Sequence, residues 1–134
     1  MAGSAATITY DETGPIKKVL ISWTSDDTTG AVTATTKKIV GYLLKGVTDP
    51  SATAPTNAYD VAITDEEGAN VLGNCVDDLA DRHNANTESV DFVIGAAGTY
   101  TTGARPCVCD KLTVAVTAAG NSKQGQIIIY WTPG

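Results

Sequence analysis

Apolar and polar residues alternate along most of the chain. In KLTVAVT, Leu112, Val114 and Val116 fall on one face of an extended strand, and the residues between them fall on the other. The stretches KKVLISWT, AYDVAIT and ESVDFVIG repeat this pattern, and clusters of turn-forming residues separate them. About eight such strands predict an all-β fold, a single antiparallel β-sandwich of jelly-roll type. The predicted core consists of Val19, Ile21, Trp23, Tyr59, Val61, Ile63, Phe92, Leu112, Val114 and Val116.

One segment, NCVDDLADRHN, has a different period. Val76, Leu79, Ala80 and His83 recur at helical spacing, and Asn74 can cap the first turn. This pattern predicts one short helix. We divide the chain into an N-terminal arm with the first strand, residues 1–15, and a β-sandwich domain, residues 16–134.

The stretch GAAGTYTTGARP has three glycines and no period. It predicts a long loop whose tip, near Tyr100, projects from the sheet.

A cluster of carboxylates lies in TAPTNAYDVAITDEEGANVLG. Asp65, Glu66, Glu67 and Gly68 follow the strand that contains Asp60, which predicts a hairpin with a tight, solvated turn. An EF-hand calcium loop that started at Asp65 would need oxygen ligands at positions 5 and 12, where this chain has alanine and valine. A solvated turn is therefore the expectation, with a weak cation site as the alternative and catalysis as the least favoured reading.

Charge restricts the classes of partner. The net charge is −6, and the whole chain has nine Lys and Arg residues, so no basic stripe is available to neutralise phosphates. An anionic membrane surface would repel the chain, and no apolar run has the length of a membrane span. The start MAGSAATITY lacks the features of a secretory signal. We expect a soluble protein that binds neither nucleic acid nor membrane.

Residues suited to catalysis or metal binding are few. His83 is the only histidine, and no nucleophile elbow is present, so we expect no enzyme activity, no cofactor and no metal. The spacing of Cys107 and Cys109 is too tight for a chelating CxxC turn and places both side chains on one face of a strand. With Cys75 they make three cysteines, so they are either reduced, half-buried thiols or include a disulfide to another subunit.

Two strands are apolar on both faces. In QIIIYW, Ile128 and Tyr130 lie opposite the other apolar residues, and in KIVGYLL the same holds for Ile39 and Leu43. A sandwich strand needs only one apolar face, so the second is covered either by loops and the helix or by another subunit. The predicted subunit interface is Ile39, Leu43, Ile128 and Tyr130.

Two segments, PTNAYDVAITDEEGANVL and AGNSKQGQIIIY, belong to an order of turns and strands that runs from Ile16 to Tyr130. This order, and these two segments most of all, resembles a family of small structural proteins encoded in the virion-gene blocks of tailed bacteriophages. The stretches CVDDLAD and ARPCVCD depart from the family pattern. The resemblance implies a virion structural protein made in the host cytoplasm.

Within a virion, the favoured role is a capsid decoration or cement protein, a homotrimer that binds the major capsid protein on the capsid exterior. The alternatives are a neck or tail accessory protein, or a module that binds carbohydrate or a host surface through the loops near Tyr100.

Overall fold

The computed structural model describes residues 4–51, 53–72, 75, 79–80, 82, 84, 86–93, 95–96, 99–100 and 105–133. These residues form an all-β structure without a helix, which confirms the prediction that the chain is all-β. The strands are β1 (Ala5–Asp11), β2 (Lys17–Thr24), β3 (Val32–Pro50), β4 (Asp60–Thr64), β5 (Glu88–Asp91), β6 (Gly95–Ala96), β7 (Thr99–Tyr100), β8 (Cys107–Thr117) and β9 (Gln124–Thr132).

Seven strands form one antiparallel sheet in the order β1-β2-β9-β3-β8-β4, and β5 pairs with β3 beside this path. The 19-residue β3 connects the two parts of the sheet, because its first half pairs with β8 and its second half pairs with β9 and β5. Its pairing shifts between Thr35 and Lys38 and again between Leu43 and Lys45. Such bulges bend a strand and increase its twist, which lets one strand belong to two differently oriented parts of a sheet.

The sheet is curled. Trp23 lies in β2 and Tyr59 directly precedes β4, so in a flat sheet about 19 Å would separate their strands, yet the ring centroids are 5.8 Å apart. β1 and β3 also approach each other although two strands lie between them, and the backbone N–H of Lys37 donates to Tyr10 Oη at 2.8 Å. The inner faces of the two ends of the sheet therefore meet around one core.

The predicted core is confirmed at all ten positions, each of which is buried. Ile39, Leu43, Leu79, Ile127, Ile129 and Trp131 are among the further members of the same cluster. Backbone passes closely over this core at two glycines: a Cβ on Gly46 would lie 2.7 Å from Phe92 Cζ, and one on Gly125 would lie 2.7 Å from Trp23 Cζ2. Glycine is needed there because the facing aromatic rings occupy the space of a side chain.

The predicted short helix is wrong. Asn74, Val76 and His83 lie outside the described residues, but the backbone groups of Leu79 and Arg82 bond to residues distant in sequence rather than along a helix. Arg82 exchanges backbone hydrogen bonds with residues 58 and 59, at 3.0 and 2.7 Å, and Leu79 O accepts from Val61 N at 3.0 Å. These bonds place Leu79 and Arg82 along the edge of β4, and Leu79 is buried in the core.

The long loop predicted before Pro106 contains a short hairpin, in which Gly95 pairs with Tyr100 and Ala96 with Thr99. The side chain of Tyr100 is not among the described residues. The boundary predicted near residue 15 lies in the bend between β1 and β2, and these two strands pair along all seven residues of β1. The division into an arm and a domain stays a prediction.

Candidate functional site

The outer face of the β1-β2-β9-β3 region bears an apolar row. Leu20 of β2 is paired with Ile128 of β9, which is paired with Val47 of β3, so the three side chains lie side by side across three strands. All three are half-buried, although they point away from the core. We call these three residues the apolar row.

A row of lysines and a tyrosine borders the apolar row. Lys18 and Lys45 are each paired with Tyr130 across the sheet. Their Nζ atoms lie 5.7 and 4.7 Å from the centroid of the Tyr130 ring, within the range of cation–π attraction. A hollow of about 230 Å³ beside Lys18 is lined in part by Leu20 and Ile128. The surface thus combines an apolar centre, a cationic border and a recess large enough for one side chain.

The structure brings together only half of the predicted interface. Ile128 and Tyr130 lie on this outer face, but Ile39 and Leu43 belong to the core and have no exposed surface. The outward residues of that part of β3 are Val40 and Tyr42. Both sets of residues are apolar, so alternation alone could not decide which set faces the core. A subunit contact on the outer face stays a prediction.

A second outer surface lies on β3 and β8. Val40 is paired with Cys109 and Tyr42 with Cys107, and all four side chains are exposed. The prediction that both cysteines share one face is confirmed, and both are free thiols. The expectation of half-buried thiols is correct for Cys75. It is wrong for Cys107 and Cys109, which are exposed. We call Val40, Tyr42, Cys107 and Cys109 the thiol patch.

The acidic turn has the predicted geometry. Asp65 Oδ1 accepts from the backbone N–H groups of Glu67 and Ala69 at 3.0 and 2.9 Å, and Gly68 has a positive φ of 83°. An antiparallel bridge joins Thr64 to Asn70 and closes the hairpin. The turn is thus explained by local hydrogen bonding.

The sequence did not predict that a carboxylate from another strand approaches this turn. Asp110 of β8 approaches it, so that one carboxylate oxygen each of Asp65, Glu67 and Asp110 lie within 4.8 Å of one another. The pKa of Glu67 is raised because its side chain shares a hydrogen bond with Asp110 and because the two charges repel. Three carboxylates could bind a hard cation, but a shared proton relieves the same repulsion. The expected absence of metal stays a prediction.

A polar hollow of about 470 Å³ occupies the other end of the β1-β2-β9-β3 outer face. Four of its side chains, Thr7, Ser22, Gln126 and Asp49, form a continuous row across the four strands. Gln126 Nε2 donates to Ser22 Oγ at 3.3 Å. The lining offers hydroxyl, amide and carboxylate groups and contains no lysine or arginine.

The comparisons with models of protein families, with curated proteins and with solved structures found no match. In the described part of the chain, no helix has the length and hydropathy needed to span a membrane.

Proposed function

We propose that this chain is a structural subunit of a bacteriophage virion, a decoration or cement protein that binds the outer surface of the major capsid lattice. The observation that carries the proposal is the apolar row with its lysine and tyrosine border. In this proposal the curled sheet acts as a rigid body of sandwich or jelly-roll type, and this surface is the contact between the subunits of a homotrimer that binds the capsid.

The apolar row has the composition of an interface centre. Aliphatic and aromatic side chains concentrate at the centres of protein interfaces, and polar residues surround them. Covering Leu20, Ile128 and Val47 removes apolar surface from water, and each Å² contributes about 25 cal/mol toward offsetting the entropy of association. The same side chains add little to the fold of a single chain because they face away from its core.

A homotrimer is the assembly that best suits a capsid lattice. A trimer can occupy three-fold or quasi-three-fold positions, where each subunit meets an equivalent surface of the major capsid protein. Three weak contacts then add through avidity. The net charge of −6 suits the exterior, because a protein that faced the packaged genome would be repelled by its phosphates.

A co-sedimentation experiment tests the capsid role. The purified chain is mixed with capsids that lack it, and the capsids are pelleted. We expect the wild type to pellet with the capsids and Ile128→Asp to stay in the supernatant, because a charge in the subunit contact would be buried without a partner and the resulting monomer lacks the avidity of the trimer. Thr35→Asp, on an exposed part of β3 away from the row, is the control and should still bind. Binding to isolated necks or tails instead would favour the accessory role.

The polar hollow favours a second candidate function, the binding of a neutral saccharide. Its hydroxyl and amide groups match a polyhydroxylated ligand, and the absence of a cationic side chain from its lining disfavours an anionic sugar. A glycan array probed with labelled protein would test this role. Binding that is lost in Gln126→Ala and kept in Thr35→Asp would support it, and an array without bound protein would exclude it for the sugars displayed.

A further inference from the structure

The thiol patch combines two features that are uncommon on the surface of a single chain. Val40 and Tyr42 are two of the three large hydrophobic side chains that are exposed among the described residues, with 51% and 45% of their surface accessible. Each lies directly beside an exposed free thiol, Cys109 or Cys107. Cysteine is among the most often buried residue types, so two exposed thiols within an apolar patch need an explanation.

We propose that the thiol patch is a covalent contact with a second copy of this chain. Two copies pack patch to patch about a two-fold axis near Val108. Cys107 of each copy then forms a disulfide with Cys109 of the other. This contact uses a different outer face from the apolar row and does not depend on binding to a capsid.

The geometry of β8 disfavours a bond between the two thiols of one chain. Cys107 and Cys109 are two residues apart in an extended strand, so their Cα atoms are separated by about 6.8 Å and their Cβ atoms point in parallel. This distance is at the limit for a disulfide, whose two Cβ atoms must also approach to about 4 Å. Cys75 packs against the core and does not belong to the patch. The oxidised partner must therefore come from another molecule.

Symmetry favours a second copy, and the lysines beside the patch do not oppose it. Two thiols at equal distances on either side of Val108 match the same pair turned by a half rotation, which is the requirement for an isologous contact. Lys38 and Lys111 are paired at one end of the patch. The axis places the lysine pairs of the two copies at opposite ends, about 20 Å apart along the strands, beyond the screening length of roughly 8 to 10 Å in dilute salt.

The bond requires an oxidant, and a glutathione-type disulfide can serve. For each protein disulfide, two S–H bonds are lost, one S–S bond forms, and one molecule of oxidised glutathione takes up two electrons and two protons to become two molecules of the reduced thiol. In a reducing cytoplasm the cysteines therefore stay as thiols, and transfer to an oxidising medium allows the disulfides between the two copies to form.

The register is tested by single cysteine variants of the full chain, oxidised with glutathione disulfide and separated on non-reducing gels. The wild type and Cys75→Ser should give a covalent dimer. Cys107→Ser and Cys109→Ser should each stay largely monomeric alone, because the like cysteines of two copies lie about 7 Å apart along the strand direction. An equal mixture of the two single variants should recover the dimer, with a Cys107 to Cys109 linkage identified by peptide mass mapping.

The role of the apolar residues is tested by Val40→Asp, with Ile16→Asp as the matched control. Both wild-type side chains are 51% exposed, but Ile16 lies outside the patch. We expect Val40→Asp to slow dimer formation about tenfold and Ile16→Asp to leave the rate unchanged. Equal rates for these two variants would show random collision of thiols and overturn the proposal. Glutathione adducts without dimers, a disulfide within one chain, or no dimer from the mixed single variants would also overturn it.

Discussion

The two faces of β2 and β9 contain similar residues in different roles. On the inner face of β9, Ile127 and Ile129 have no exposed surface and pack in the core. Between them, Ile128 points outward and is half-buried against Leu20 and Val47. Residue type alone therefore does not distinguish a core position from an outer one. We expect the inner set to determine stability and the outer set to determine assembly.

The largest effect on stability is expected at the inner face. Trp23→Ala should lower the free energy of unfolding by about 3 to 5 kcal/mol, because the indole is 3% exposed and its removal leaves a cavity beside Tyr59. Urea unfolding followed by circular dichroism measures this change. Leu20→Ala on the outer face is the control and should cost less than half as much. Equal losses would contradict the distinction between the faces.

A smaller loss is expected from adding one methyl group to the inner face. Gly46→Ala would place a Cβ against Phe92 and Leu79, and such overpacking costs about 1 to 3 kcal/mol. Gly68→Ala is the control at the solvated turn, where a new Cβ meets nothing within 4 Å and only the positive φ is unfavourable. If Gly68→Ala were the more destabilising in thermal unfolding, the close approach at Gly46 would be wrong.

Asp65 in the acidic turn should contribute about 1 kcal/mol to the free energy of unfolding. Asp65→Ala removes the acceptor for two backbone N–H groups at an exposed site, where water replaces part of the lost bonding. Asp65→Asn keeps an acceptor oxygen and should recover most of the loss. Urea denaturation of the wild type and both variants measures this effect. The wild type should be the most stable, Asp65→Asn intermediate and Asp65→Ala the least stable.

The smallest effect concerns pH. The folded-state pKa of Glu67 is raised by Asp110, so protonated Glu67 favours the folded state below the unfolded-state pKa, and this contribution is lost as pH rises through the folded-state pKa. Glu67→Gln, which resembles the protonated form, should therefore be more stable than the wild type at neutral pH. The two proteins should have the same urea midpoint at about pH 3. A difference that did not change with pH would argue against the contact between the carboxylates.

Much of the inner face could be predicted from sequence because alternation with period two is local information. All ten predicted core residues are buried. Alternation could not tell which face of β3 is inner, since Ile39 and Val40 are both apolar, and it could not show the two bulges that bend this strand. The helix was wrong because the backbone of Leu79 and Arg82 bonds to distant residues, and local periodicity does not report such bonds. The approach of Asp110 to Glu67 is likewise produced by the sheet.

We propose that the chain forms a trimer through its outer face, and sedimentation velocity of Ile128→Asp in reductant measures this contact. Reductant removes any contribution from Cys107 and Cys109. We predict that the wild type sediments with three times the chain mass of 13.8 kDa, while Ile128→Asp sediments as a monomer that keeps the β-sheet circular dichroism spectrum of the wild type. A wild type that is monomeric at high concentration, or an Ile128→Asp variant that remains a trimer, would exclude a trimer held by the outer face.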